Sequence, residues 1–394
     1  MGVATAFFLA ERGESDVVVV EQGTLGSGTT KSGLGGIRHQ FVDELDVRMS
    51  QLAAEFWRDV DAFTSSAHDF QQHGYLFVTE TDDGLAALRS AMPLYDRLGV
   101  EVEMVGPQQI ARLVPGIRID DLKGGRLGRR DGYGAPLDAL AGFAAAAVIE
   151  GVRLIEHVRV ESLLLDNSDN PESGAVVGAR TADGEIRADR VLLATGAWTA
   201  PIAATAGVRV PIWPYRRSIM EAAGPFPTLA TIPLVIEWES GFHFRPVTRN
   251  GGAAQRFAMP NLTLDGAAEK GPARAPDSFD APGLDLEVPP QLEPWVKKRG
   301  AWRMAAFADL RITDSWSCNY EMTPDDHPIV GGVPGTPGLY IAAGFSGHGF
   351  MHAPATAQLI VEEMLDGKAT ALDITDLSIE RFRTGRRPFT ATVL

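Results

Sequence analysis

One cysteine, Cys318, in 394 residues excludes an intramolecular disulfide framework and any multi-cysteine metal site, and is compatible with a reducing compartment. Positive charge is scarce: 36 Lys+Arg against 51 Asp+Glu leave a formal net charge of −15. That excess repels phosphate backbones and anionic lipid, so no nucleic acid or membrane-surface partner is expected, and a small molecule is. Long hydrophobic runs are absent as well. The nearest, ALAGFAAAAVI at 139–149, is about half of the roughly 20 residues that span a bilayer, and reads as a buried core helix. No basic segment precedes an apolar one at the N-terminus and no small-residue cleavage site follows, so a cytoplasmic protein without a membrane span is expected. No metal site is expected.

What is present is glycine-punctuated α/β sequence. The chain opens MGVATAFFLAERGESDVVVVEQ, an apolar helical stretch entered at Gly2, then a valine strand closed by Glu21. That order matches the second half of a dinucleotide-binding fingerprint. A carboxylate ending the second strand can accept both ribose hydroxyls, and a glycine at the helix entry lets helix and strand pack closely. Of the three glycines in G-x-G-x-x-G only the last is present. An ordinary β-α-β element with a solvated Glu remains the alternative at this point. The loop GSGTTKSGLGGIRHQF (26–41) can aim many backbone N–H groups at a pyrophosphate or an aromatic ring, or can be a plain surface loop. Further on, RADRVLLATGAW reads as a buried strand entering a glycine turn, and GLYIAAGFSGHGF repeats that pattern before a helix near 353–367. Between 211 and 304 the composition shifts to short strands and proline, indicating a second, mostly antiparallel domain.

Four stretches carry a resemblance: VVVVEQGTLGSGTTKSGLGGIRHQF (17–41), RVLLATGAWTAPI (190–202), WSCNYEMTPDDHPIVG (316–331) and GLYIAAGFSGHGFMHAP (338–354). In this order and spacing the chain resembles the FAD-dependent amino acid oxidase superfamily (DAO family), in particular the branch of sarcosine oxidases and dimethylglycine dehydrogenases. The resemblance implies an α/β, two-domain fold: a Rossmann-like FAD-binding domain with a parallel sheet (1–73, 137–210 and 305–394), interleaved with a substrate domain on a mostly antiparallel sheet (74–136 and 211–304). The family begins with a strand and two more glycines ahead of the position of Met1. The N-terminal strand is therefore expected to be missing here, and the start to lie roughly 10 to 20 residues upstream, by analogy with the fingerprint.

For the cofactor, the resemblance implies FAD bound by Gly2, Glu21, Ser27, Thr29, Ser32, Gly33 and Val160, by the ATG turn Thr195–Gly196 with Trp198, and by Gly344, Ser346, Gly347 and Gly349. Cys318 aligns with the cysteine that carries flavin through a thioether in monomeric sarcosine oxidases; the alternative is a packed, unreactive thiol. Arg38 matches the arginine that pairs with the substrate carboxylate, a role suited to a planar guanidinium. His39, Tyr320 and His348 are the catalytic candidates around the amine, and His243 and Arg245, in GFHFRP, the substrate-domain candidates. Met351 replaces a carboxylate-holding lysine, which puts a plain sarcosine pocket in doubt. The implied reaction is oxidation of the C–N bond of a secondary or N-methylated amino acid, with oxygen or another acceptor taking the electrons. The alternatives are a flavoprotein-like assembly or scaffold protein without turnover, or an oxidase of a primary D-amino acid or a 2-hydroxy acid.

Overall fold

A computed structural model describes residues 1–64, 70–166, 174–224, 230–249, 252–259, 286–386 and 389. The apolar run after Met1 forms the helix Gly2–Glu11, which buries Val3, Ala4, Ala6, Phe7 and Ala10 against the helices Pro136–Ile149 and Gly349–Asp366. β-Branched residues follow the pleat: Val18–Val20 pairs in parallel with Arg153–Ile155, and Val191–Leu193 in parallel with Leu339–Ala343, which also pairs antiparallel with Ile329–Gly332. These two pieces are not hydrogen-bonded to one another among the described residues. The single parallel sheet that a Rossmann-like domain requires is thus divided, and a cavity runs between Val17–Val20 on one side and Leu192–Ala194 on the other. A three-stranded antiparallel sheet, Val160–Leu165, Val176–Thr181 and Gly184–Arg187, flanks it.

The second layer is an eight-stranded sheet in the order Arg311–Met322, Trp213–Ala223, Gly252–Met259, His243–Arg249, Leu234–Glu237, Tyr75–Thr79, Gly124–Gly128 and Val102–Val105. All neighbours are antiparallel except Leu234–Glu237 beside Tyr75–Thr79. The strand Arg311–Met322, which carries Cys318 and Tyr320, therefore belongs to this antiparallel sheet although it falls inside the 305–394 span expected for the cofactor domain. One face of the sheet buries Leu76, Val78, Phe242 and Phe244 against Val296 and Phe307 of the segment around the helix Leu292–Arg303. That helix is fastened by charge: the fully buried Arg303 donates to Glu237 (2.5 Å), Asp121 (2.9 Å) and Glu80 (2.7 Å). No helix among the described residues is long and apolar enough to cross a membrane.

Candidate functional site

The cavity between the layers has a volume of about 1110 Å³. It begins where the valine strand ends. Glu21 donates its N–H to the Ile155 carbonyl (2.8 Å), and its carboxylate accepts the Gly23 N–H (2.8 Å), which fixes the side chain at the cavity edge beside Val158 and Val160. The glycine-rich loop continues the wall with Thr29 and Gly33. Its course is set at Gly35: φ is +78°, and a Cβ there would stand 2.1 Å from the Gly134 carbonyl oxygen. Ser27 and Ser32 do not line the cavity; the Ser27 hydroxyl is buried without a hydrogen-bond partner among the described residues, and Ser32 is buried. Gly2, Thr195, Gly196 and Trp198 line the middle.

The far end is built by the turn after Ala343. Gly344 lies behind the wall with φ at +84°, packed on Thr323, so it shapes the turn instead of facing the cavity. Ser346, Gly347 and Gly349 do face it. Gly347 has φ at +101°, and a Cβ there would be 2.3 Å from the Tyr320 ring, so this glycine lets the phenol reach the cavity. Met351 lines the same end from the first turn of the helix Gly349–Asp366.

Arg38 enters this end with its guanidinium stacked on Phe41 (4.5 Å), Phe77 (5.3 Å) and Tyr75 (5.6 Å), and with a buried Nε that has no hydrogen-bond partner among the described residues. Two imidazoles share the space. His348 Nε2 lies 3.2 Å from the Asp326 carbonyl oxygen, which can only accept, so Nε2 carries the proton and the partnerless Nδ1 is a bare acceptor. His243 Nδ1 likewise donates to the Gly241 carbonyl (2.5 Å), leaving Nε2 bare. Burial above all, with the charges of Arg38 and other cations adding to it, lowers both to about 4, so both are neutral at pH 7. Burial pushes the Tyr320 phenol up to about 12, which keeps it a hydroxyl donor.

Three further expected site residues do not line the cavity. His39 donates its backbone N–H (2.9 Å) and its Nδ1 (2.6 Å) to Asp131 and does not line the cavity. Arg245 is committed to backbone carbonyls of Leu34, Pro246 (2.8 Å) and Gly134 (3.2 Å), so it staples the glycine-rich loop to the antiparallel sheet and leaves the substrate end to others. Cys318 shares a sheet face with Tyr320 and with its cross-strand partner Arg217 but does not line the cavity, and burial raises its thiol to about 12; it is protonated, the unreactive form.

Two residues of the wall escaped sequence reasoning. Arg217 stands in the strand Trp213–Ala223, opposite Cys318, and lines the cavity; the alternation that puts Tyr215 and Arg217 on one face and Arg216 on the other is the signal that could have found it. Glu321 accepts the N–H groups of Gly344 and Phe345, and burial holds its carboxyl up at about 7.

Behind the site, His327 Nε2 lies 2.8 Å from Asp46 and 3.3 Å from Asp43, an internal ion pair that ties the strand-loop region to the start of the helix Glu44–Thr64. These carboxylates, working against burial, raise His327 from 6.5 to about 10. Its contribution to stability is full below about pH 6.5 and fades as pH rises through about 10. The destabilisation caused by His327→Gln, read from urea unfolding, is accordingly expected to be largest near pH 6 and to shrink toward pH 10. A destabilisation that grew with pH would contradict this ion pair.

The cavity suits a dinucleotide flavin. Its volume suffices, a ribose-ready carboxylate stands at one end, backbone turns of glycine stand along the middle, and buried N–H groups without acceptors stand at the other end. Comparison with known proteins agrees. The family described as FAD dependent oxidoreductase (DAO) matches residues 1–363. The chain is 26% identical to FAD-dependent oxidoreductase domain-containing protein 1 of Xenopus laevis, over 97% of this chain and 80% of that protein. It is 24% identical to the formaldehyde-forming 4-methylaminobutanoate oxidase of Paenarthrobacter nicotinovorans, over 97% of this chain but only 44% of that one. Among solved structures, L-proline dehydrogenase from P. horikoshii superposes with a TM-score of 0.83 at 28% identity, covering 97% of this chain and 95% of the other. The chain belongs to the DAO family of FAD-dependent oxidoreductases, enzymes that oxidise amines and amino acids.

Proposed function

We propose that this enzyme oxidises the C–N bond of a secondary or N-methylated amino acid whose carboxylate is held by Arg38. The observation that carries the reading is the Arg38 guanidinium, stacked on three aromatic rings with a buried, partnerless Nε, in the same cavity as two neutral imidazoles. A carboxylate offers the Arg38 Nε the acceptor it lacks among the described residues. An amine has to be neutral before it can give up a hydride from the adjacent carbon. The burial and cationic field that keep His243 and His348 unprotonated act in the same direction on a substrate ammonium, and the bare imidazole nitrogens are positioned as acceptors for its N–H. FAD, when bound, supplies the two-electron acceptor. The product imine hydrolyses in water. Met351, buried at the same end, presents an apolar surface suited to an N-alkyl substituent. The secondary amines in the names of 4-methylaminobutanoate oxidase, sarcosine dehydrogenase and proline dehydrogenase support the same class.

The test is anaerobic mixing of flavin-loaded protein with N-methylglycine, proline, 4-methylaminobutanoate, glycine, D-alanine and glycolate. Bleaching of the flavin band by the secondary amines is expected. Bleaching by glycolate or the primary amino acids alone would overturn the reading. Because Cys318 is a buried thiol, acid precipitation of the same sample is expected to leave the colour in the supernatant.

A further inference from the structure

The reaction proposed above uses one guanidinium of the cavity lining, and Arg217 brings a second to the end where Tyr320 stands. Arg217 lies 4.7 Å from the Tyr215 ring and 5.5 Å from the Tyr320 ring, a stacked arrangement that holds its planar head at the cavity wall. Its Nη1 is buried and without a hydrogen-bond partner, and neither Arg217 nor Arg38 forms an ion pair with a carboxylate among the described residues. Phe41 meets both Arg38 (4.5 Å) and His348 (5.4 Å), and Gly347, next to His348, abuts the Tyr320 ring that Arg217 faces, so both charges lie at one end of the cavity. His243, His348, Tyr320 and Cys318 are uncharged, and the cavity-lining Glu321, which accepts the N–H groups of Gly344 and Phe345 and leaves its Oε2 without a partner, forms no ion pair with either arginine among the described residues. Two half-buried guanidinium groups, each with a buried nitrogen that has no partner among the described residues, are unfavourable, and a ligand bearing two anionic groups offsets both.

We propose that the substrate is an amine carrying two carboxylates, the first on Arg38 and the second on Arg217. The inference rests on the Arg38 reading and deepens it by naming the substrate class: an N-substituted aminodicarboxylate, with Arg217 as the residue that selects it over a monocarboxylic amino acid. The oxidised bond and the fate of the electrons are unchanged.

The test uses unreactive probes, so that it does not depend on turnover. Glutarate, succinate and butyrate are titrated into flavin-loaded wild-type protein and into Arg217→Gln and Arg217→Lys, and binding is read from the perturbed flavin spectrum and from calorimetry. Wild type is expected to bind the dicarboxylates at least about tenfold more tightly than butyrate, since one hydrogen bond to a charged group is worth roughly that much or more. In Arg217→Gln the ratio of dicarboxylate to monocarboxylate affinity is expected to fall by about 10- to 100-fold, and Arg217→Lys to retain part of it. Arg217→Lys also covers the case in which Gln fails to fold. Equal affinities in wild type overturn the inference. So does an equal weakening of all three probes in Arg217→Gln with an altered resting flavin spectrum, because Arg217 would then serve the cofactor. Oxidation of N-methylglycine without any dicarboxylate preference sinks this inference and leaves the proposed function standing. A dicarboxylate preference in a protein that bleaches with no secondary amine does the reverse.

Discussion

Arg38→Met is expected to lower kcat/KM for a secondary amino acid by about 100-fold or more. A bidentate guanidinium–carboxylate pair contains two charge-assisted hydrogen bonds of roughly 1.5–3 kcal/mol each, and about 1.4 kcal/mol is a factor of ten. The loss is large here because Arg38 is stacked on Phe41, Phe77 and Tyr75 and does not have to be ordered when the substrate arrives. Arg38→Lys is expected to recover only part of the rate, since an ammonium is a point charge that cannot reproduce the fork. The decisive comparison is between an amino acid and its amide. If Arg38 holds the carboxylate, the substitution narrows the difference in kcat/KM between the two; if both substrates lose equally, Arg38 supports the cofactor or the fold and the assignment fails.

The second large effect concerns stability. Arg303→Leu is expected to lower the unfolding free energy by about 3–5 kcal/mol, the usual consequence of removing one partner of a buried ion pair. Glu237 would be left ionised in the middle of the eight-stranded sheet, with Arg299 (2.5 Å) as its remaining cation. Replacing both members, Arg303→Leu with Glu237→Gln, is expected to recover much of the loss, because the uncompensated charge is then gone. Urea unfolding followed by circular dichroism measures both. A double variant no more stable than Arg303→Leu alone would place the effect in lost packing of the helix Leu292–Arg303, not in charge.

Much of the cofactor half was legible beforehand. The valine run and Glu21, the glycine-rich loop, the ATG turn and GFSGHGF are local patterns, and their order and spacing identified the family. The placement of single polar side chains was less legible. His39 and Arg38 are adjacent in sequence, yet one is bound to Asp131, 92 residues away, while the other stacks on aromatics and faces the cavity. Arg245 looks like a substrate residue from its strand; only the approach of Leu34 and Gly134, brought by separate elements, gives its guanidinium carbonyls to hold. Arg217 went unnoticed for the converse reason. Beside Arg216 it reads as one of two surface cations, and its burial follows from the pairing of Trp213–Ala223 with Arg311–Met322, which turns Arg216 outward and Arg217 toward Tyr320.

By itself, the sequence determined the elements, the family and the cofactor, because periodicity, turn glycines and motif spacing are properties of contiguous residues. Tertiary structure decided which charges are answered and which are left open. Whether an arginine or histidine meets a carbonyl, a carboxylate or an empty cavity depends on groups that arrive from distant parts of the chain. In a desolvated space that meeting sets the protonation state and the appetite for a ligand.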